Sequence, residues 1–414
     1  MSKDSLVGGI ELYNCNGVII VLQGLDDGSS RCFLLSLNSN SWNEVSLTGV
    51  PLGYLWAYPA IDQASDEVFF EQGYIENEQL IMNVLVGRMS GNLAVQDVME
   101  KKWLTDKKTL FGETGSNVQL GLLPGVRDWP SLGIGVINGT DMYIPYCVRG
   151  HTRREKIFYE GEGPFNNGVF HSADSGANWQ MERVSDFEGW LPSLCKTKGC
   201  YYYIAAKNHQ KDLWFSRKPD QNASWSEPDA ITKTFCNSAL YWKYVAAADN
   251  DTIHLCWLDR RHEKTRISLE DYSHHNYEVA YCHRKDSDDH WSKSIILSKG
   301  LFYSYSPSMS VEGDKIVVAW AGIQAAEDWH NEDNPNDIYY VTSKDGGNTW
   351  TEPLKVTNAA KDGVTSGKPE VMLLNGIIHL FYIQGKMDLQ QVGGLTKLNQ
   401  PPWPIYYTQR PFPN

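Results

Sequence analysis

Short apolar runs alternate with polar turns along this chain, at a spacing too tight for helices. FLLS, GVFHS, LWFSR, VAYCHR and IYYVTS are rich in β-branched and aromatic residues, and a cluster of Ser, Asp, Asn or Gly follows each, as expected of a strand running into a tight turn. A second set comprises MYIPYC, YYYIAA, IHLCWL, KIVVAW and IIHLFY. A third set carries Pro or a small residue at a fixed place: YPAID from Tyr58, WPSLG from Trp129, LPSLC from Leu191, YVAAA from Tyr244, SPSMS from Ser306 and KPEVM from Lys368, with GGIEL from Gly8 as a seventh. Successive starts from Tyr58 onward lie 71, 62, 53, 62 and 62 residues apart. Each interval has room for four short strands, lettered a to d from the inside out, with the third set supplying strand a and the second set strand b.

The turns repeat as well. SKDGGNTW, Ser343 to Trp350, and SADSGANW, Ser172 to Trp179, share Ser, Asp, Gly and Trp at the same offsets. In such a turn Asp and Asn accept local backbone hydrogen bonds, Gly supplies positive φ, and the Trp begins the returning strand. KPDQNASW, Lys218 to Trp225, and RKDSDDHW, Arg284 to Trp291, keep only the Asp and the Trp, with Asn222 and Asp288 where Gly stands in the full copies. SLNSNSW, Ser36 to Trp42, is a looser echo, one residue shorter.

The Ser-x-Asp-x-Gly-x-x-Trp turn resembles the Asp box of the sialidase-like and BNR-repeat propellers. Together with the repeat it predicts an all-β chain, a seven-bladed β-propeller with Asp-box turns forming one domain over residues 1–414, or six blades if the first, weakly marked unit is not one. The resemblance implies that the boxes join strands c and d on the face away from the active site. Asp174, Asp345, Trp179 and Trp350 are then structural, the tryptophans wedged between neighbouring blades. Sialidases of this family carry Arg-Ile-Pro at the start of an early blade. Here WAYPAID has Ala57 in the arginine position, and Arg127 in RDWP is one residue out of register. The seven-bladed, single-domain members look more like polysaccharide lyases acting on uronate-containing glycans, so lyase action is expected first, glycoside hydrolysis second and lectin-like binding third.

The formal charge of -13 disfavours a nucleic-acid partner, because a phosphate backbone calls for a basic surface. No stretch is long and apolar enough to span a bilayer, and MSKDSLVGG has no signal-peptide core; the compartment stays open between secreted and cytoplasmic. A monomer is expected. Among the eight cysteines, Cys195 and Cys200 in CKTKGC fall where strands a and b should turn, which allows either a cross-hairpin disulfide or reduced buried thiols.

In a propeller, function gathers where the d-to-a and b-to-c loops converge. The residues leading into strand a present Trp56, Tyr58, Arg127, Asp128, Trp129, Glu188, Trp190, Tyr241, Trp242, Lys243, Tyr303, Tyr305 and Lys368, and the b-to-c loops add His209, Asp259, Arg260, Arg261 and His262. Aromatic rings offer flat faces to sugar C–H groups, and cations fix carboxylates. A lyase needs a cation to neutralise the uronate carboxylate, a role open to Arg127, Lys243, Arg260 and Lys368. It also needs a base and an acid, open to His209, His262 and Tyr241. Hydrolysis would draw on Asp128, Glu188 and Asp259. No cofactor is required. Calcium is an optional ligand of the acidic loop EDWHNEDNPND, through Asp328, Asp333 and Asp337.

Overall fold

The computed structural model describes residues 10–15, 18–24, 30–37, 41–45, 58–62, 67–76, 79–90, 92–98, 102–106, 130–132, 135–138, 140–148, 167–174, 178–185, 190–207, 212–220, 222–232, 244–259, 261, 277–301, 303–324, 335–386, 390–392, 395–397 and 404–413. Their strands form seven sheets met one after another along the chain, and a two-stranded ribbon, Gln390–Val392 with Leu395–Lys397. Sheet 1 comprises Ile10–Cys15, Val18–Gly24, Ser30–Ser36 and Ser41–Val45. Sheet 2 comprises Tyr58–Asp62, Glu67–Glu76, Gln79–Ser90 and Asn92–Val98, with Lys102–Asp106 beside its third strand. Sheet 3 holds Pro130–Leu132, Asp141–Val148, Asn167–Ser172 and Gln180–Ser185, with Val136–Asn138 beside its second strand.

Sheet 4 is Trp190–Lys196, Tyr201–Lys207, Asp212–Lys218 and Asp229–Ala230. Sheet 5 is Val245–Asp249, Thr252–Asp259, Glu278–Lys285 and Ile295–Ile296. Sheet 6 is Tyr303–Glu312, Lys315–Ile323, Asp337–Ser343 and Leu354–Lys355. Sheet 7 is Val364–Leu374, Ile377–Lys386 and Ile405–Pro411, three strands where the repeat predicts four. Within each sheet the strands are again lettered a to d in chain order. Sheets 2 to 4 belong to one compact unit and sheets 5 to 7 to another. The segments read as strands a and b from sequence take those places, and every pairing whose register is described is antiparallel.

Burial differs between the strands, and strand a of sheets 5 and 6 is less buried than strands b and c. Strand b of sheets 5 and 6 is buried almost end to end, whereas strand d shrinks to two residues in sheets 4, 5 and 6 and is at least partly exposed, a short edge that offers little to an intruding strand. The reason for continuous burial is visible in sheet 6. Side chains alternate faces along a strand, so Ile316, Val318 and Trp320 pack with Cys256, Leu258 and Tyr281 of sheet 5. Their neighbours Val317, Ala319 and Ala321 pack with Val371, Leu373 and Leu380 of sheet 7. Sheets 3 and 4 meet in the same way through Tyr143, Val169, Leu194, Tyr201 and Tyr203. Each fully buried large side chain contributes about 1.5–3 kcal/mol.

Both full turn motifs join strands c and d and close through the same bonds. Ser172 Oγ donates to Asp174 at 2.8 Å and the Asn178 N–H donates to the same carboxylate at 2.7 Å. In the second copy Ser343 Oγ donates to Asp345 at 2.8 Å and the Thr349 N–H does so at 2.8 Å. Trp350 donates its indole N–H to the Gly347 carbonyl at 3.0 Å and sets its ring edge-on to Tyr281 of sheet 5, centroids 4.8 Å apart. It is therefore a wedge between neighbouring sheets, as expected. Gly347 has φ +92° and lies so close to the Tyr281 phenol that a Cβ there would overlap it. The Tyr281 hydroxyl in turn bonds His254 Nδ1 at 2.7 Å, a pair that sheet 7 repeats with His379 and Tyr407 at 2.9 Å.

The a-to-b hairpins are tight. Asn375 and Gly376 both have positive φ, 53° and 71°, the geometry of a two-residue type I′ turn. That turn is gripped from the preceding sheet: the Glu312 carboxylate accepts the Asn375 N–H at 2.6 Å and the Gly376 N–H at 2.9 Å. Asp249, at the same place in sheet 5, accepts the Gly313 N–H of sheet 6. Cys195 and Cys200 flank the a-to-b turn of sheet 4 as free buried thiols, so of the two readings the reduced one holds; burial raises the Cys195 pKa to about 12.

Candidate functional site

Strand a of sheets 4, 6 and 7 carries one irregularity at one place. In sheet 6 Tyr305 pairs with Ala321 and Ser308 with Ala319, so Ser306 and Pro307 face Trp320 alone. In sheet 7 Gly367 pairs with Ile383 and Glu370 with Phe381, leaving Lys368 and Pro369 against Tyr382. In sheet 4 Trp190 pairs with Ala206 and Ser193 with Ile204, leaving Leu191 and Pro192 against Ala205. A proline has no N–H for the ladder, and a bulge is where a strand can accept one. The strand therefore continues through the proline. Of FYSYSP and TSGKP, read from sequence as lead-in loops, Tyr303 to Pro307 and Thr365 to Pro369 lie within strand a.

At two of these bulges the backbone is left-handed. Ser306 has φ 51° and Lys368 φ 46°, each just before a proline, where the ring pushes a residue towards extended conformations. A side chain held in this region costs about 1–3 kcal/mol. The residues after the bulges are tied together: Ser308 Oγ donates to the Glu370 carboxylate at 2.7 Å and accepts the Val371 N–H at 3.1 Å. One pleat further on, Ser310 Oγ accepts the Leu373 N–H at 2.9 Å. Beyond the bulge in sheet 7, Gln384 Nε2 donates to Ser366 Oγ at 3.1 Å, and the Ser366 N–H donates to the Asn336 carbonyl at 2.9 Å.

Tyrosine rings lead up to the bulge of sheet 6. Tyr303 lies 5.6 Å from Tyr305 and 5.7 Å from Tyr277, centroid to centroid. The Tyr305 hydroxyl sits 3.4 Å from where a Cβ on Gly367 would stand, which brings it beside the residue preceding Lys368. Tyr305 is partly accessible, yet desolvation raises the pKa of its phenol. At neutral pH the group is protonated and offers a hydrogen bond or a proton rather than acting as a ready base. Flat apolar rings, a protonated phenol and an ammonium side chain at one end of two adjacent strands form an arrangement suited to a sugar carrying a negative charge.

No family model matches this chain, and neither does any curated protein. Among solved structures, a polysaccharide lyase PL25 ulvan lyase bound to -[GlcA(1-4)Rha3S]- aligns at TM-score 0.50 and 11% identity, over 92% of this chain and 92% of that one. Hydrazine synthase from Kuenenia stuttgartiensis aligns at TM-score 0.52 and 8% identity, over 91% of this chain and 93% of that one. The β-propeller domain of the Trilobed protease from Pyrococcus furiosus aligns at TM-score 0.45 and 8% identity, over 99% and 97%. At such identities the likeness concerns the fold: an all-β chain of consecutive antiparallel sheets.

Of the residues expected at the site, Tyr303, Tyr305 and Lys368 are described, and they lie at the same end of neighbouring strands. Tyr58 and Trp190 begin strand a of sheets 2 and 4, where their backbones pair with Glu71 and Ala206. Trp56, Arg127, Asp128, Trp129, Glu188, His209, Tyr241, Trp242, Lys243, Arg260 and His262 lie outside the described residues, as do Asp328 and Asp333. Asp337 is engaged within its own sheet: its carboxylate accepts Thr357 Oγ1 and the Ala359 N–H, both at 2.7 Å, and pairs with Lys355 Nζ at 2.5 Å. Among the described residues no group of three or more His, Cys, Asp or Glu is placed to hold a metal ion.

Asp259, expected as a candidate acid or base, is fully buried at the end of strand b. It accepts the Trp257 indole N–H at 3.0 Å and both prongs of the Arg261 guanidinium at 2.8 and 2.6 Å. That fork anchors the start of the b-to-c loop. His254 also belongs to the framework, because burial, aided by His283, lowers its pKa to about 4 and keeps it neutral beside Tyr281. A cleft of about 550 Å³ lined by Glu312, Lys315, Lys344 and Phe412 lies at the opposite end of strand a from the bulges, and its Glu312 is already bound to the turn of sheet 7. Ser306, Ser308, Glu370 and Tyr277 were not singled out from sequence. The signal for Ser306, Ser308 and Glu370 was the recurring Xaa-Pro, which read as a strand marker, and Tyr277 had none.

Proposed function

We propose that the seven sheets are the blades of an Asp-box β-propeller and that the protein is a carbohydrate-active enzyme cleaving an acidic, uronate-containing glycan by β-elimination. The observation that carries this reading is the cluster of Tyr277, Tyr303 and Tyr305 beside the strained Lys368 bulge. It combines stacking surface, proton donor and cation at the strand ends where propeller loops converge. The structural likeness to an ulvan lyase supports the same choice, at the level of fold.

In such a reaction a base takes the C5 proton of the uronate, the C4–O bond breaks, and the leaving oxygen receives a proton, giving a C4–C5 double bond. A cation beside the carboxylate makes the C5 proton more acidic. Lys368 fills that role, with Arg127, Lys243 and Arg260 as further neutralisers and His209, His262 and Tyr241 as base and acid. The Asp259–Arg261 fork bears on the hydrolytic alternative, because a buried carboxylate held by its own arginine is not free to serve as a glycosidase acid or base.

The test is incubation with a panel of uronate-containing and sialylated glycans, following the absorbance of an unsaturated uronate together with reducing ends. Elimination raises both. Reducing ends without the new absorbance would mean hydrolysis, and silence in both with retained glycan binding would mean a lectin.

A further inference from the structure

We propose that Tyr382, Tyr406 and Gln384 of sheet 7 form an outer subsite that holds a neutral sugar residue of the glycan, next in the chain to the residue held at the tyrosines of sheet 6. The inference rests on the carbohydrate reading and deepens it by giving the site a second binding position.

The first ground is an aromatic pair that is covered in one sheet and open in the next. Trp320 of sheet 6 faces the Ser306-Pro307 bulge and pairs across the ladder with Tyr339; their rings stack at 6.4 Å and are part of the core against sheet 5, the residues 0% and 4% exposed. Tyr382 holds the corresponding place in sheet 7, facing the Lys368-Pro369 bulge, and pairs with Tyr406. These two rings lie closer, 5.6 Å apart and within 13° of parallel, yet Tyr406 is 41% exposed. A flat ring braced by a second one and open to solvent is a surface for sugar C–H groups.

The second ground is a polar group fixed beside the pair. Gln384 stands two residues after Tyr382 on strand b, so the two side chains leave the same face of the sheet. Its Nε2 donates to Ser366 Oγ at 3.1 Å, and Ser366 is itself buried, with its N–H bonded to the Asn336 carbonyl at 2.9 Å. That bond occupies the donor end of the amide. The acceptor end, Oε1, has no partner among the described residues, and Gln384 is only partly buried. A carbonyl oxygen held in one orientation accepts a hydroxyl and brings no charge of its own. Ring and amide together suit an uncharged sugar.

The third ground is continuity with the site already described. Tyr305 and Tyr382 pack on one apolar cluster between sheets 6 and 7, and the Tyr305 hydroxyl lies 3.4 Å from where a Cβ on Gly367 would stand, the residue after Ser366. From strand a at Gly367 to strand c at Tyr406 is two strand spacings, about 10 Å. A sugar seated on Tyr305 therefore has its chain neighbour within reach of Tyr406.

Calorimetry with three ligands tests this: methyl glucuronoside, which fills one position, a tetrasaccharide of glucuronate alone, and one that alternates glucuronate with N-acetylglucosamine. Wild type should hold the alternating chain most tightly. Tyr406→Thr keeps a strand former at an exposed place, so it should fold as wild type does while binding the alternating chain about tenfold more weakly and the monosaccharide unchanged. Tyr406→Phe keeps the ring and should bind as wild type does. Gln384→Leu removes the acceptor and should weaken the alternating chain about fivefold. If Tyr406→Thr and Gln384→Leu both bind that chain as wild type does, or lose the monosaccharide equally, there is no separate subsite and the proposal falls while the carbohydrate reading stands. A wild-type preference for the all-glucuronate chain would also overturn it, as would sedimentation showing a dimer that Tyr406→Thr breaks, because the open ring would then belong to a second copy. If wild type binds none of the three ligands, the carbohydrate reading falls and takes the proposal with it.

Discussion

The turns at 343–350 and 218–225 occupy the same place between strands c and d, and the chain solves them differently. In the first, Ser343, Asp345 and Thr349 satisfy one another and the backbone within eight residues. In the second, Lys218 replaces the serine and is buried. Its ammonium reaches Glu182 of the preceding sheet at 2.7 Å, and the Trp225 indole N–H bonds the same carboxylate at 3.1 Å. The aspartate there, Asp220, accepts the Asn222 and Ala223 N–H groups, at 2.8 and 3.0 Å. Both copies keep the tryptophan against its neighbouring sheet. What decays is the local network, and an ion pair between sheets takes over its work. The wedge is the invariant part of the device; the polar loop is one of two ways to hold it.

The largest effect should come from attacking the wedge in the intact copy. Gly347→Ala places a methyl on the Tyr281 phenol at a φ that alanine resists, and a loss of about 4 kcal/mol is expected in chemical denaturation. Next is Glu182→Ala, which leaves the buried Lys218 ammonium without its carboxylate and should cost about 3 kcal/mol. If that change is neutral, the decayed turn is not held by the ion pair and the comparison fails. Smaller again is Asp345→Ala, about 1–2 kcal/mol, against about 0.5 kcal/mol for Asp220→Ala.

The Asp345 effect has a pH signature. Burial pushes its pKa up, but hydrogen bonds from Thr349, Ser343 and the Asn348 backbone outweigh that and hold it below the ordinary carboxylate value. A carboxyl whose pKa falls on folding contributes fully above the unfolded value of about 3.9 and loses that contribution as pH drops through the folded one. Urea unfolding at pH 7 and pH 3 should therefore show the gap between wild type and Asp345→Ala narrowing in acid.

Much of the fold was legible because a strand repeat writes itself in period-two alternation and in turn chemistry, both local. Strands a and b, the c-to-d turns and the Trp350 wedge followed from residues close in sequence. The bulges did not. SPSMS and KPEVM read as the starts of strands, because the left-handed φ before each proline leaves no local mark in the sequence. The meeting of Tyr305 with Gly367, 62 residues later in sequence, depends on how one sheet lies on the next. Asp259 and Asp337 show the converse: residue type suggested chemistry, while partners only two to about twenty residues away, Arg261, Thr357 and Ala359, had already engaged them.

The grip of sheets 5 and 6 on the hairpin that follows each of them links consecutive repeats. The Asp249 carboxylate waits for the Gly313 N–H, and the Glu312 carboxylate waits for the N–H groups of Asn375 and Gly376. In both cases the acceptor is synthesised 63 or 64 residues before its donors. Bonds of this kind couple each of sheets 6 and 7 to the sheet before it, the nearest-neighbour coupling of a repeat architecture.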